Sequence, residues 1–132
     1  MTGHPGMAEL LHTVITEVGP DVPDLVAGGV LILFATGAPP ELAEVSVLHD
    51  VLAAAAEQAP VRGAQLRIGA LTTTLTAVGG LAWAKVREMG HVVINFNGLD
   101  TPERPGELCA AQIDLPALSE ALRPGAEIVI GA

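Results

Sequence analysis

The sequence is poor in cysteine and in aromatic residues: it has one cysteine, two phenylalanines, one tryptophan and no tyrosine among 132 residues. A single cysteine, Cys109, excludes an internal disulfide and any metal site built from several cysteines. This usage fits a reducing, cytoplasmic compartment. Because half of the residues are hydrophobic, we expect a core of small aliphatic side chains, with Cys109 buried among them as a small hydrophobic residue.

Basic residues are also scarce. The chain has six Lys and Arg residues against fifteen Asp and Glu residues, which gives a formal net charge of -9. Such a chain offers no electrostatic attraction to nucleic acid or to an anionic membrane. We therefore expect no nucleic-acid partner, and any phosphate chemistry must depend on a local group of donors rather than on the overall field.

Long hydrophobic runs are missing as well. The stretches 25–40 and 68–84 carry no charge, but Gly, Pro or Thr interrupts both, and neither is suited to span a bilayer. The N-terminal region lacks the basic start of a signal peptide. We expect a soluble, unprocessed, cytoplasmic protein with no direct membrane insertion.

The fifteen glycines and ten prolines divide the chain into short segments, which favours many brief strands over a few long helices. Roughly seven strands and one short helix are expected. Closing such a sheet removes its exposed edges, so the prediction is an all-β fold, a small closed or nearly closed barrel. Residues 1–9 are expected to form a flexible tail and residues 10–132 a single domain, with no internal repeat.

Local patterns predict individual elements. Residues 81–89 have the best helical composition, and Gly90 follows where a C-cap glycine belongs. Residues 64–68 and 71–78 alternate in hydrophobicity across a tight link, which predicts a hairpin. Residues 51–57 are rich in alanine, and two interpretations stay open for them: two turns of helix, or a surface excursion between strands.

The catalytic shortlist is narrow, because the sequence has no phosphate-binding glycine loop, zincin motif or serine nucleophile elbow. One histidine stands out. The rigid turn Gly37-Ala-Pro-Pro40 leads to an extended segment, 45–49, that ends at His49. At the end of a strand, one edge of the ring can be held by the scaffold while the other meets solvent or a partner. A neutral imidazole there is a candidate nucleophile.

The order of several segments resembles the glucitol/sorbitol-specific IIA component of the bacterial phosphoenolpyruvate-dependent sugar phosphotransferase system. The likeness runs from about Thr13 to the C-terminus. Its most specific parts are the Gly-Ala-Pro turn leading to His49 and the Gly-His-Val strand that ends in Phe-Asn-Gly-Leu. Further similar segments are 75–79, 86–92, 105–106 and 123–127.

The resemblance implies a barrel that accepts a phosphoryl group on His49 from the phosphocarrier HPr. It implies transfer to the IIB component, which works with IIC in glucitol/sorbitol-type uptake, through a phosphohistidine intermediate and with no cofactor or metal. Some relatives have a second histidine two residues later, where this chain has Val51. His91 has two interpretations: a donor to the phosphoryl group, or a structural residue that ties the helix end to the barrel.

Two other functions stay open. The first is a noncatalytic regulatory or interaction barrel of the same ancestry. The second is a metal- or ligand-binding barrel that uses His49 and His91, for which Asp50 would be a third ligand. Neighbouring strand residues point to opposite faces, so Asp50 is expected to be solvated rather than beside His49. The apolar composition is also compatible with a homodimer.

Overall fold

The computed structural model describes residues 9–131 and consists of short strands with four short helices among them. The elements are β1 Glu9–Val18, α1 Val22–Ala27, β2 Val30–Ala35, α2 Pro40–Ala43, β3 Val47–Ala53, β4 Gln65–Ile68, β5 Leu71–Val78, α3 Ala82–Met89, β6 Val92–Asn95, β7 Glu107–Ala110, α4 Leu115–Ala121 and β8 Glu127–Gly131. None of the helices within residues 9–131 is long and apolar enough to cross a membrane.

The strands form a closed barrel in the order β1-β3-β2-β6-β7-β5-β4-β8, and β8 pairs back with β1. The pairs β2/β3 and β6/β7 are parallel and the other pairs are antiparallel. The prediction of an all-β closed barrel is confirmed. The hairpin predicted from residues 64–68 and 71–78 is β4 and β5, paired from Gln65 with Thr74 to Ile68 with Leu71.

The expectation of one helix is wrong, because α1, α2 and α4 are helical in addition to α3. Each of these three has a proline in its first turn, where the missing N–H costs no intrahelical hydrogen bond. The predicted helix is α3, and Gly90 is its left-handed C-cap with φ of 64°. The predicted tail lies outside the described residues except for Glu9, which begins β1.

Helix is the wrong interpretation of residues 51–57. β3 continues to Ala53, because Val51 and Ala53 pair with Thr13 and His12 of β1. The backbone of Ala56 still donates a hydrogen bond to the carbonyl of Leu10. The long strand β1 supplies pairing partners over this stretch, and this tertiary pairing overrides the helical preference of alanine.

The core is aliphatic, as expected, and fills the barrel with side chains from every strand. Its largest fully buried members include Leu11, Ile15, Leu31, Leu66 and Ile128. α3 covers one part of the barrel through Trp83, whose Nε1–H donates a hydrogen bond of 2.6 Å to the carbonyl of Ala56. Cys109 is fully buried in β7, which confirms the placement expected from its chemistry.

The barrel is built from two similar halves, although no internal repeat stands out in the sequence. The strand order β8-β1-β3-β2 in one half corresponds to β4-β5-β7-β6 in the other, with the same parallel and antiparallel pairings. α1 follows β1 as α3 follows β5. β1 and β5 both carry a register shift, between Ile15 and Glu17 and between Leu75 and Ala77.

Two glycines show how closely the halves agree. A Cβ on Gly19 would lie 2.2 Å from the carbonyl oxygen of Ala43, and a Cβ on Gly79 would lie 2.3 Å from that of Pro105. In both halves the chain that leaves the strand passes directly against the backbone of the segment leading into the next paired strand. Only a residue without a Cβ fits at these crossings.

Candidate functional site

His49 lies in β3, between β1 and β2. Its backbone pairs with Ile15 of β1 and Ala35 of β2. The side chain is 2% exposed, so the expectation that one edge of the ring meets solvent is wrong. Asp50 is exposed, as predicted from the alternation of side chains along a strand.

Both ring nitrogens of His49 have polar partners. Nδ1 lies 2.5 Å from the hydroxyl oxygen of Thr13 in β1, and Nε2 lies 2.7 Å from the carbonyl oxygen of Gly90. The Thr13 hydroxyl also lies 2.6 Å from the carbonyl oxygen of Asp50, and its one proton serves either this contact or the contact with Nδ1. The ring is therefore enclosed by the protein but sits in a polar setting rather than among aliphatic side chains alone.

Burial dominates the electrostatics of this ring. It lowers the pKa of His49 below the ordinary value of 6.5, while the Gly90 carbonyl and the negative charge of Asp50 oppose that change. The ring is therefore neutral at neutral pH, which is the form that carries a nucleophilic lone pair. A carbonyl can only accept, so the contact with Gly90 places the proton of the neutral ring on Nε2.

The Gly90 turn is the cover over Nε2. Gly90 has φ of 64°, a left-handed conformation that ends α3. A Cβ at this position would lie 3.2 Å from Nε2 of His49 and 3.2 Å from the Cβ of Ala35. The absence of a side chain thus lets the backbone approach the ring.

A groove runs between β3 and α3, beside this turn. It is lined by Val51, Ala54, Ala55, Ala84, Val86, Arg87 and Glu88. Val51 is 42% exposed and lies two residues after His49, on the same face of the strand. Arg87 contributes a cation to the groove at the end of α3, where positive charge is favourable.

His91 follows the Gly90 turn. Its Nδ1–H donates a hydrogen bond of 3.2 Å to the carbonyl of Leu33, and its ring packs at 5.0 Å on that of Phe34. No hydrogen bond joins His91 to His49 within the described part of the chain. These contacts favour the interpretation of His91 as a tie between the helix end and β2.

Within residues 9–131 there is no group of three or more His, Cys, Asp or Glu side chains that could hold a metal ion. Two asparagines near the end of β6 have local partners. Asn95 donates to Glu107 at 3.0 Å, and the side-chain oxygen of Asn97 accepts from the backbone N–H of Leu99 at 3.0 Å.

Comparison with known protein families decides which family the chain belongs to. Residues 10–129 match the family described as "PTS system glucitol/sorbitol-specific IIA component". The chain belongs to this IIA family. The resemblance inferred from the sequence motifs is thereby confirmed.

Individual relatives of this IIA family agree. The chain is 34% identical over 105 residues to the PTS system glucitol/sorbitol-specific EIIA components of Shigella flexneri and Escherichia coli (strain K12), which covers 80% of this chain and 84% of each relative. A crystal structure of a PTS system IIA component from Enterococcus faecalis V583 superposes with a TM-score of 0.69 at 20% identity. It covers 89% of this chain and 97% of the other, and it supports the fold.

Sequence reasoning found His49 but missed the two groups that hold its ring. Thr13 lies 36 residues away in sequence, and its only local signal is an inward position on the alternating strand β1. Gly90 was predicted as a helix cap, which is correct, but its contact with His49 has no sequence signal. Thr13 and Gly90 therefore become site residues only once the barrel has closed.

Proposed function

We propose that this IIA family member is a cytoplasmic phosphocarrier in which His49 receives a phosphoryl group from phosphorylated HPr and passes it to the IIB component. IIB then works with IIC in glucitol/sorbitol-type sugar uptake. The observation that carries the proposal is the state of His49. Among the described residues it is the one histidine that is buried, and it is held neutral between two oriented hydrogen-bond partners.

The chemistry needs one nucleophile and no cofactor. A ring nitrogen lone pair of His49 attacks the phosphorus of the donor phosphohistidine. The new N–P bond forms as the old one breaks, and the electron pair of the old bond returns to the donor ring. In the second step the IIB nucleophile attacks phosphorus, and the pair of the N–P bond returns to His49. The first step is readily reversible because it exchanges one N–P bond for another.

The nitrogen that reacts is Nε2. Nδ1 faces Thr13, which is 0% exposed and part of the β1 strand, so exposing Nδ1 would require opening the barrel wall. Nε2 contacts the carbonyl of the Gly90 turn. Releasing that turn breaks a hydrogen bond and leaves polar groups to find water, at a cost of about 1–3 kcal/mol. Such a cost leaves an open state at roughly 1–15% of molecules.

In the open state, the groove between β3 and α3 becomes part of the phosphoryl-transfer site. The transferring phosphoryl group spreads negative charge over its equatorial oxygens, and the groove beside the turn offers Arg87 as a cation. His91, adjacent to Gly90, is a second donor we propose for the phosphoryl oxygens once its hydrogen bond to Leu33 is released. All of these groups come from one chain, so a homodimer is not needed for the reaction.

The test is a reconstituted transfer assay with phosphoenolpyruvate, enzyme I and HPr. Wild-type protein is expected to become labelled, and the His49→Gln variant is expected to stay unlabelled. His12→Gln is the matched control. His12 contacts Glu127 of β8 rather than His49, so this variant should be labelled like the wild type. The His91→Gln variant is expected to be labelled more slowly. Labelling of His49→Gln at the wild-type rate would refute the proposal.

A noncatalytic barrel is the rival function, and one observation favours it: His49 is buried with both nitrogens engaged. The two functions differ in what the His49→Gln variant does. A carrier loses phosphoryl acceptance while it keeps binding to HPr, as measured by calorimetry. A noncatalytic barrel shows no phosphoryl acceptance even in the wild type, with partners that are active on a control IIA protein.

A further inference from the structure

The two halves of the barrel place equivalent threonines beside equivalent carbonyls. In β1, Thr13 lies two residues before Ile15, which pairs with His49. In β5, Thr73 lies two residues before Leu75, which pairs with Ala110. The Thr13 hydroxyl lies 2.6 Å from the carbonyl oxygen of Asp50, and the Thr73 hydroxyl donates to the carbonyl of Ala111 at 3.1 Å. Both carbonyls belong to the residue directly after the paired position.

The halves differ in the residue at the paired position, which lies just before the carbonyl that the threonine contacts. One half has His49 at this position, and the other has Ala110. The threonine-to-carbonyl contact therefore exists whether or not a histidine is present, so it is a property of the framework. In the first half, when the Thr13 proton is on the Asp50 carbonyl, the oxygen lone pairs of Thr13 face Nδ1 of His49.

An oxygen that offers lone pairs to Nδ1 favours a proton there. A neutral imidazole has one N–H, so a proton on Nδ1 leaves the lone pair on Nε2. In the closed structure the Gly90 carbonyl requires the proton on Nε2, so Nδ1 accepts the Thr13 hydroxyl proton. When the Gly90 turn opens, Nε2 loses its proton to solvent, Nδ1 takes one up, and the Thr13 hydroxyl turns its proton to the Asp50 carbonyl.

We infer that Thr13 is a positioning residue for phosphoryl transfer: anchored on the carbonyl of Asp50, it holds the Nδ1–H of His49 and so presents the Nε2 lone pair. The inference rests on the proposed function of His49. As Nε2 attacks phosphorus, positive charge develops on the ring. The hydrogen bond from Nδ1–H to Thr13 strengthens with that charge, so Thr13 stabilises the transition state more than the resting ring.

The test compares three variants. Thr13→Val removes the hydroxyl at nearly the same volume, and Thr13→Ser restores it. Thr73→Val is the matched control, because it breaks the same threonine-to-carbonyl bond in the half without a histidine. Each variant is first checked for folding by circular dichroism and thermal unfolding, and Thr13→Val should lose at least as much stability as Thr73→Val, because it also removes the partner of His49 Nδ1. Phosphoryl acceptance from phosphorylated HPr is then measured at a saturating carrier concentration.

We expect Thr13→Val to accept the phosphoryl group about 10- to 100-fold more slowly, the change that loss of one charge-assisted hydrogen bond produces. Thr13→Ser and Thr73→Val should stay within about threefold of the wild type. The second readout is the ring proton of phosphorylated His49 in nitrogen-15 NMR. Wild-type protein should show a slowly exchanging proton bonded to Nδ1, and Thr13→Val should show fast exchange there.

Each outcome separates this inference from the proposed function. If wild-type protein accepts no phosphoryl group at His49, the proposed function fails. If the wild type is phosphorylated, equal rates in Thr13→Val and Thr73→Val overturn the positioning role. Unchanged protection of the Nδ1 proton in Thr13→Val overturns it too. A Thr13→Val variant that does not fold leaves the Thr13→Ser comparison, in which the same slowly exchanging Nδ1 proton is required.

Discussion

The carbonyl oxygen of Gly90 lies 2.7 Å from Nε2 of His49 and covers the atom that the proposed chemistry uses. The contact exists because Gly90 ends α3 in a left-handed conformation without a side chain. For the proposed function, this is a closed state, in which the peptide unit at the end of α3 has to move before Nε2 can react.

A side chain at Gly90 should disturb the site more than one at the equivalent glycine of the other half, Gly29. Alanine is strained at both, because φ is positive at both, which costs about 1–2 kcal/mol. At Gly90 the new Cβ also lies 3.2 Å from Nε2, whereas at Gly29 the closest atom is 4.0 Å away. We expect Gly90→Ala to shift the imidazole NMR signals of His49 and to change phosphoryl acceptance; Gly29→Ala should lose stability alone. Equal shifts of the His49 signals in the two variants would contradict a specific role of the Gly90 turn at Nε2.

Acidification should weaken the fold through His49. Burial lowers the pKa of the folded ring below 6.5, so the unfolded chain takes up a proton at a higher pH than the folded chain does. The free energy of unfolding then falls as pH drops below about 6.5. Urea unfolding of wild-type protein and of His49→Gln between pH 7.5 and pH 5 measures this, since other groups contribute to both. The stability difference should move in favour of the variant on acidification; a constant difference would show that the pKa is not lowered.

Arg87 should assist transfer more than it supports the fold. It lines the groove beside the Gly90 turn, and Arg62 lines a separate groove near β5. Loss of one cation that faces a transferring phosphoryl group is expected to slow Arg87→Gln by about tenfold, while its loss from the end of α3 lowers the free energy of unfolding by no more than about 1 kcal/mol. Arg62→Gln is the control of equal charge change. Equal slowing of both variants would indicate a general electrostatic effect on the approach of HPr instead.

The crossings at Gly19 and Gly79 should be the least tolerant glycines of the framework. A Cβ at either would lie within 2.4 Å of a backbone carbonyl oxygen, which forces the backbone to shift and is expected to cost about 3 kcal/mol or more. Gly80→Ala is the control, since no atom lies within 4 Å of its added Cβ. Chemical unfolding should show large, similar losses for Gly19→Ala and Gly79→Ala. A small loss at either would contradict the tight crossing.

Much of the fold follows from local sequence patterns. The hairpin β4–β5 is set by alternating side chains, and α3 by its composition and by the glycine at its end. These signals lie within a few residues of one another. The helix interpretation of the alanine-rich segment after His49 was wrong. Its structure is determined by pairing with β1, a strand distant in sequence, rather than by the intrinsic helical preference of alanine.

The site was predicted in part, for the same physical reason. His49 can be found from its segment, but its burial depends on Thr13 and Gly90, which come from a different strand and a different helix end. The repeat of the two halves is also invisible to simple matching, because what the halves share is the path of the backbone. Gly19 and Gly79 preserve that path, while His49 and Ala110 differ.

The central claim is that Nε2 of His49 carries the phosphoryl group, and direct mapping of the adduct tests it best. The protein is phosphorylated with phosphoenolpyruvate, enzyme I and HPr, kept at alkaline pH, and analysed by peptide mass spectrometry together with phosphorus-31 and nitrogen-15 NMR. The account predicts one phosphoryl group, on the peptide that contains His49, bonded to Nε2. A phosphoryl group on another residue, or on Nδ1 of His49, would contradict it.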